Sequence, residues 1–329
     1  MRRLLFSTVL AVCGFASRAQ FDPGDMFIGE TIAPEMDAVY TRGIQFLKAT
    51  QSADGSWPGT HGTEPGVVGL CVLSILAHGE DANHGPYAQT IRRGVDFILK
   101  NQGPNGYIGR SMYNHGFASL ALAESYGSLD DARIGPALKK AVNLIMTSQS
   151  ANPHGGWRYS PESTDADSTV SGAQMVALFA ARNAGLEIPD KSIKRGLAYF
   201  KSCQTPDGGI GYTGPGGPNS ARTAIGALAF ALAREKEDPA FQSAFKYLKQ
   251  SGFDPDGSYP MYYEYYAAQA FFHGDMDVWK KWNASNFQAL RDAQDETGGW
   301  QGGNGPAFST AAALLSLAVN YRLVPIYER

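Results

Sequence analysis

Six times along the chain a helical stretch runs into a short Gly-rich turn, most often with a Gln near its start and an aromatic at its end. The turns read QSADGSW at 51–57, NQGPNGY at 101–107, SQSANPHGGW at 148–157, CQTPDGGIGY at 203–212, QSGFDPDGSY at 250–259 and AQDETGGW at 293–300. Their terminal aromatics, Trp57, Tyr107, Trp157, Tyr212, Tyr259 and Trp300, are spaced by 50, 50, 55, 47 and 41 residues. A period of this length is the signature of a repeat architecture, in which one supersecondary unit is stacked on the next. Glycine supplies the positive φ of such a turn, Asp or Asn bonds its own backbone, and Pro stops the helix before it. The aromatic is then free to pack over the reversed chain.

Between the turns two kinds of helix alternate. Helices expected after the turns, at about 66–78, 114–126, 168–184, 220–234, 261–273 and 307–321, are mostly rich in small and apolar residues. GVVGLCVLSILA (66–77) and AIGALAFALA (224–233) hold no charge at all. Helices expected before the turns, at about 36–50, 86–101, 133–149, 189–203, 238–250 and 276–293, are amphipathic, with charged pairs such as Arg92 and Arg93 or Lys139 and Lys140. A helix apolar all round must be enclosed, and one with a charged face must meet water. Strict alternation therefore gives two concentric layers. An open solenoid would require atypical capping repeats, and none is evident, so the expectation is one closed, all-α, twelve-helix α/α barrel over residues 30–325.

Residues 1–19 read as an export signal: Arg2 and Arg3, an apolar stretch from Leu4 to Ala16, and Ser17-Arg18-Ala19 before Gln20. At 13 residues the apolar stretch is too short to span a bilayer as a helix, and no other segment reaches that length without a charge or a Gly/Pro break. The expected product is exported, periplasmic or secreted, with a folded domain over 20–329. The full chain has 28 basic and 31 acidic side chains, and loss of Arg2, Arg3 and Arg18 leaves 25 against 31. That balance excludes a dominant nucleic-acid role, which needs concentrated positive charge to displace phosphate counterions. Cys71 and Cys203 lie in helical patterns and read as buried small hydrophobes rather than a disulfide.

The turns resemble the QW-type repeats of squalene cyclases and of the prenyltransferase/squalene oxidase repeat superfamily, over nearly all of the chain beyond the signal. The stretch 155–186, GGWRYSPESTDADSTVSGAQMVALFAARNAGL, is similar to that of bacterial single-toroid proteins of squalene cyclase-like type. The resemblance implies an α6/α6 toroid, the architecture that the helix alternation suggests independently.

Because every turn leads from an outer helix to an inner one, all inner helices begin at one end of the barrel. Their N-termini ring one mouth, each with a partial positive charge. The polar residues beside them are His61 and Glu64; Tyr113, Asn114 and His115; Asp165 and Asp167; Asn219, Ser220 and Arg222; Tyr262 and Glu264; and Ser309. Asp167, His115 and Tyr262 are expected to face one cavity, with Asp165 and Glu264 at its rim. Tyr113, Glu64 and Arg222 complete the candidate ligand-binding set. DADST (165–169) is similar to the DxDD-T motif of class II terpene cyclases. That resemblance implies Asp167 as a proton donor, with Ser168 where the motif has its last aspartate. The competing reading is a helix cap at Asp167, or a capping box from Thr164. The inner helix MYYEYYAAQAFF (261–272) offers aromatic faces to a carbocation, or simply to the core.

No metal or cofactor is expected. Zinc-dependent protein prenyltransferases of the superfamily bind metal through an Asp-x-Cys and a distant His. Ser258 and Ser309 stand at the positions equivalent to the cysteine and the histidine. Three functions follow in order: binding of a small molecule or isoprenoid lipid at the mouth, with a protein partner as a variant of it; a proton-initiated terpenoid cyclase, an isomerase, using Asp167; and a glycan-active α/α-barrel enzyme drawing on Asp165, Asp167, Glu64 and Glu264.

Overall fold

The computed structural model describes residues 32–60, 62–251 and 260–327. The signal segment at 1–19, His61, and Asp256 and Ser258 of the zinc-like motif lie outside the described residues. Among the described residues, twelve α-helices carry the fold. The outer set is α1 (Pro34–Thr50), α3 (Ala88–Lys100), α5 (Ile134–Ala151), α7 (Asp190–Ser202), α9 (Pro239–Gln250) and α11 (Met276–Ala293). The inner set is α2 (Pro65–Ala77), α4 (Met112–Ser125), α6 (Ser168–Asn183), α8 (Ser220–Leu232), α10 (Pro260–Gly274) and α12 (Pro306–Ala318). Strand among the described residues is confined to two-residue segments, Pro58–Gly59 paired antiparallel with Gly62–Thr63, and a few isolated bridges.

Each inner helix packs on the next, α2 on α4, α4 on α6, α6 on α8, α8 on α10 and α10 on α12, and α12 returns to α2. The ring is closed, and the fold is the α6/α6 toroid. Every residue of α2 is buried. The outer helices bury one face only: in α3 Ile91, Val95 and Ile98 turn inward while Arg92 and Lys100 stay outside. Cys71 and Cys203 are buried free thiols.

The physics of the repeat lies in its turns. The Gln side-chain amide donates twice, to the carbonyl of the turn glycine and to a carbonyl in the first turns of the next outer helix. Gln51 bonds Gly55 and Thr90, Gln102 bonds Gly106 and Ala137, Gln149 bonds Gly155 and Ser192, and Gln204 bonds Gly208 and Ala240, all at 2.8–3.1 Å. Gln294 does the same with Gly298 and with Val39 of α1, tying the last described turn to the first outer helix. The tryptophans add a second tie: the Nε1 atoms of Trp57, Trp157 and Trp300 donate to Leu47, Ile145 and Leu290 at 2.8–2.9 Å, anchoring each turn to the helix it leaves.

The other end of the barrel is covered by the segment that follows α12. A 3-10 turn, Pro325–Tyr327, packs on α6, which stands opposite α12 in the ring. Asn183 Nδ2 donates to Pro325 O at 3.3 Å, and Ile326 and Tyr327 are buried.

The turn geometry gives a direct test. Gly208 has φ +97, and a Cβ there would stand 2.1 Å from Ser243 O of the next outer helix; Gly185 has φ +89 with nothing within 4 Å. Gly185→Ala should cost about 1 kcal/mol from backbone conformation alone. Gly208→Ala should cost about 3 kcal/mol or more, because α9 must also move. Urea unfolding of both variants measures the difference, and equal losses would contradict the proposed role of close approach.

Candidate functional site

The first turns of all six inner helices meet around one cavity of about 560 Å³. Each inner helix sends residues to its lining, among them Val67 of α2, Asn114 of α4, Thr169 of α6, Ala221 of α8, Tyr262 of α10 and Phe308 of α12. Six aromatic rings form much of the wall: Tyr113, Phe117, Tyr159, Tyr212, Tyr262 and Phe308. The polar lining includes Glu64, Asn114, Asn219 and Arg222. Its size falls in the ~300–1,000 Å³ range of small-molecule sites.

Asp167 is the N-cap of α6. Its Oδ1 accepts from Thr169 N at 2.9 Å, Thr169 Oγ1 at 2.7 Å and Val170 N at 2.7 Å. Ser111 and Asn219 cap α4 and α8 in the same way, accepting from Asn114 N and Arg222 N. The capping-box alternative is thereby corrected, since Asp167 itself and not Thr164 occupies the cap. Its Oδ2 has no hydrogen-bond partner and lies 3.5 Å from Arg158 Nε. Burial raises the Asp167 pKa, and this outweighs the Thr169 and Val170 bonds and the Arg158 charge, which lower it. The Asp167 side chain is 0% exposed and the carboxyl does not line the cavity; Thr169, two residues on, does. Asp165 is 64% exposed and pairs with Arg158 Nη1 at 3.3 Å.

His115 departs from the expected shared cavity. It is wholly buried, its Nδ1 accepts from Ile108 N at 3.1 Å, and its Nε2 donates to Ala141 O at 3.1 Å. The reason is again the repeat. Ser171, Thr223 and Thr310 on other inner helices accept from the backbone N–H of Trp157, Ile210 and Trp300 in the equivalent manner. His115 is therefore the turn acceptor of the second repeat, a neutral imidazole with both nitrogens occupied. Burial pulls its pKa down to about 4.

Glu264 also departs from the rim. It is not part of the lining, its Oε2 is buried without a hydrogen-bond partner, and desolvation pushes its pKa up to about 7. Of the α10 aromatics only Tyr262 reaches the cavity. Tyr265 and Tyr266 sit in the core, and Phe271 and Phe272 pack outward on Trp282 and Trp279. Tyr113, Tyr262, Glu64 and Arg222 do line it. Tyr113 Oη bonds Thr169 Oγ1. Glu64 Oε1 accepts from Asn114 Nδ2 at 3.1 Å, while Asn114 Oδ1 accepts from Gly66 N at 2.9 Å, bracing α2 against α4.

Three neighbouring residues were not singled out as site residues by the sequence. The Arg158 guanidinium lies 5.0 Å from the Tyr159 ring and 5.2 Å from the Tyr212 ring, and Arg222 stands 5.7 Å from Tyr212. The Tyr159 and Tyr212 hydroxyls bond each other. The available signal was the position of Arg158 and Tyr159 directly after the turn tryptophan, Trp157.

Comparison with known proteins fits this geometry. The family model of the squalene-hopene cyclase C-terminal domain matches residues 66–223, from α2 into the first turn of α8. Over this stretch, just under half of its length, the chain is similar to the squalene cyclases. Among curated relatives, lanosterol synthase erg7A of Aspergillus fumigatus is 28% identical over 162 residues, 44% of this chain but only 20% of that protein. The chain thus aligns with about one fifth of that relative's length. Among solved structures, the type II terpene cyclase MstE from Scytonema superposes with TM-score 0.63 at 16% identity, over 88% of this chain and 98% of that one. The GH76A alpha-1,6-mannanase from Salegentibacter sp. HEL1_6 superposes with TM-score 0.67 at 8% identity, over 88% and 99%. At these identities the two structures share the toroid with this chain, and the likeness is one of fold.

The histidine assignment has a pH signature. His115 titrates at about 4 in the folded chain against 6.5 for an ordinary histidine. Its contribution is full above pH 6.5 and is lost as pH falls from 6.5 to about 4, because only the unfolded state takes up the proton there. The loss should approach about 3 kcal/mol. Urea unfolding between pH 7 and pH 4 should show a shallower pH dependence in His115→Gln than in the parent chain; identical slopes would contradict the assignment.

Proposed function

We propose that the protein binds a small, largely apolar ligand of isoprenoid type in the aromatic cavity at the mouth of the toroid. The observation that carries this is the convergence of all six inner-helix starts on one cavity walled by tyrosine and phenylalanine. Apolar contact with such rings supplies affinity, and the few polar groups at the lining fix orientation. The carboxyl with the strongest resemblance to a catalytic acid stands behind this wall, and one of its oxygens is committed to capping α6. We further propose that the protein acts after export, directed by residues 1–19.

A second reading, a proton-initiated cyclase, draws on Asp167 Oδ2. That oxygen is buried without a hydrogen-bond partner, and burial raises the carboxyl pKa, as a proton donor requires. Against it stand the adjacent Arg158 cation, which favours the ionised form, and the absence of Asp167 from the lining. A glycan-active enzyme has less support, because among the described residues Glu64 is the one carboxylate of the cavity lining.

Ala221 lies in the lining at the first turn of α8. Ala221→Trp should fill the cavity and weaken farnesol binding, read by calorimetry, by about tenfold or more while the fold is kept. Unchanged affinity would overturn the pocket assignment. Asp167→Asn separates the two readings. Asn caps a helix about as well as Asp, so stability and farnesol binding should change by less than ~1 kcal/mol. Squalene turnover by the parent chain, abolished in a folded Asp167→Asn variant, would establish the cyclase instead.

A further inference from the structure

The two ionisable groups of opposite charge in the cavity lining stand on opposite walls. Glu64 precedes α2 and Arg222 lies in α8, three steps apart around the inner ring in either direction. Their circumstances differ. Glu64 Oε1 already accepts from Asn114 Nδ2. Arg222 spends one donor on Gly217 O at 2.8 Å, and no carboxylate of the described residues lies within 4 Å of its guanidinium. Arg133, Arg158, Arg182 and Arg291 each have such a carboxylate. Arg222 is also held in place: it stacks on Tyr212, whose ring lies near Arg158 as well and whose hydroxyl is tied to Tyr159.

A partly exposed guanidinium beside an aromatic wall, with no carboxylate of the described residues at hand, can turn its charge to a ligand anion. Its remaining N–H donors form a planar fork suited to an oxyanion. Asn219 lines the cavity at the cap of the same helix, whose first turn adds a partial positive charge. Glu64 on the far wall repels an anion and so sets its direction.

We infer that Arg222 anchors a single oxyanion, a carboxylate or a phosphate ester, at one end of the apolar ligand, with that end at the α8 wall and the body lying across the tyrosines toward α2. The inference rests on the ligand-binding reading above and adds the charge and the orientation of the ligand. Recognition is by one fixed cation rather than by a metal or a basic patch. The site therefore selects among ligands of equal apolar body by their head group.

The test is calorimetric binding of four probes with the same body: farnesoate, farnesyl phosphate, farnesol and farnesyl ammonium. At least one of the two anions should bind about tenfold or more tighter than farnesol, with the ammonium weakest. Arg222→Gln should erase the preference, bringing the anion down to the affinity of farnesol; Arg222→Lys should keep part of it, as a point charge without the fork. Glu64→Gln should raise the anion affinity, because it removes the repelling charge; a fall would contradict the orientation. Thermal unfolding of each variant establishes that it is folded. The anion that binds tighter identifies the head group as carboxylate or phosphate. Equal binding of all four probes by the parent chain overturns the anion anchor and leaves the pocket standing. An equal loss of farnesol and anion in Arg222→Gln makes Arg222 structural and likewise overturns it. Failure of every probe to bind the parent chain overturns both readings.

Discussion

One side-chain amide holds this molecule in its shape. In each described turn that carries it, the Gln Nε2 bridges two carbonyls, one in its own turn and one in the next outer helix. Those carbonyls belong to a turn and to the start of a helix, where two chain segments meet at backbone distance, and glycine is required because no Cβ fits between them. Each such clamp fixes the step from one repeat to the next. Because Gln294 reaches Val39, the same bond that propagates the array also closes it. A closed ring has no end to cap, so a largely apolar inner layer can be buried throughout.

The mouth follows from that closure and from connectivity. Turns that lead inward at one end place every inner N-terminus there, so the residues that cap helices and the residues that line the cavity come from the same short stretches. Competition for side chains is the result. Asp167 and Asn219 stand in equivalent positions, yet Asn219 lines the cavity while Asp167 is buried behind Thr169 and Tyr113. A polar residue at a helix start can serve the helix, the cavity or both, and the neighbouring aromatics decide which. Here the tyrosines occupy the inward positions, leaving Arg222 and Glu64 as the charged groups of the lining among the described residues.

This division explains what could be read in the sequence. The helices were legible to within a few residues because the apolar and amphipathic patterns differ sharply and the turns punctuate them, as at 168–183 against an expected 168–184. Convergence on one mouth was legible too, since it depends on connectivity alone. The direction of individual side chains was not. His115 resembled a mouth residue because it follows a helix start, yet it serves the turn; aligning it with Ser171 and Thr223, each four residues after its cap, reveals the shared duty. Tyr212 read as the end of a turn and Arg158 and Tyr159 were not marked out at all; only the reversal of the chain after each turn brings the three beside the α6 and α8 starts. The aromatic run of α10 shows the opposite error, because a helix buried on every side spreads its rings in all directions and gives the cavity only one.

The segment after α12 has a bearing on how such a ring assembles. Open repeat arrays bury their core through neighbours alone, and they can gain or shed units one at a time from an end. Here Pro325–Tyr327 is seated on α6, about 150 positions earlier in the chain and halfway around the ring, and Asn183 is bonded to Pro325 across that span. The contact joins the third repeat directly to the end of the sixth without passing through those between. Partial arrays therefore lack both the ring closure and this diameter, and neither can form until nearly all the chain is in place. Contacts so remote in sequence slow the search for the native state. They also make its loss concerted, so repeats that are separable as units of sequence are not separable as units of stability.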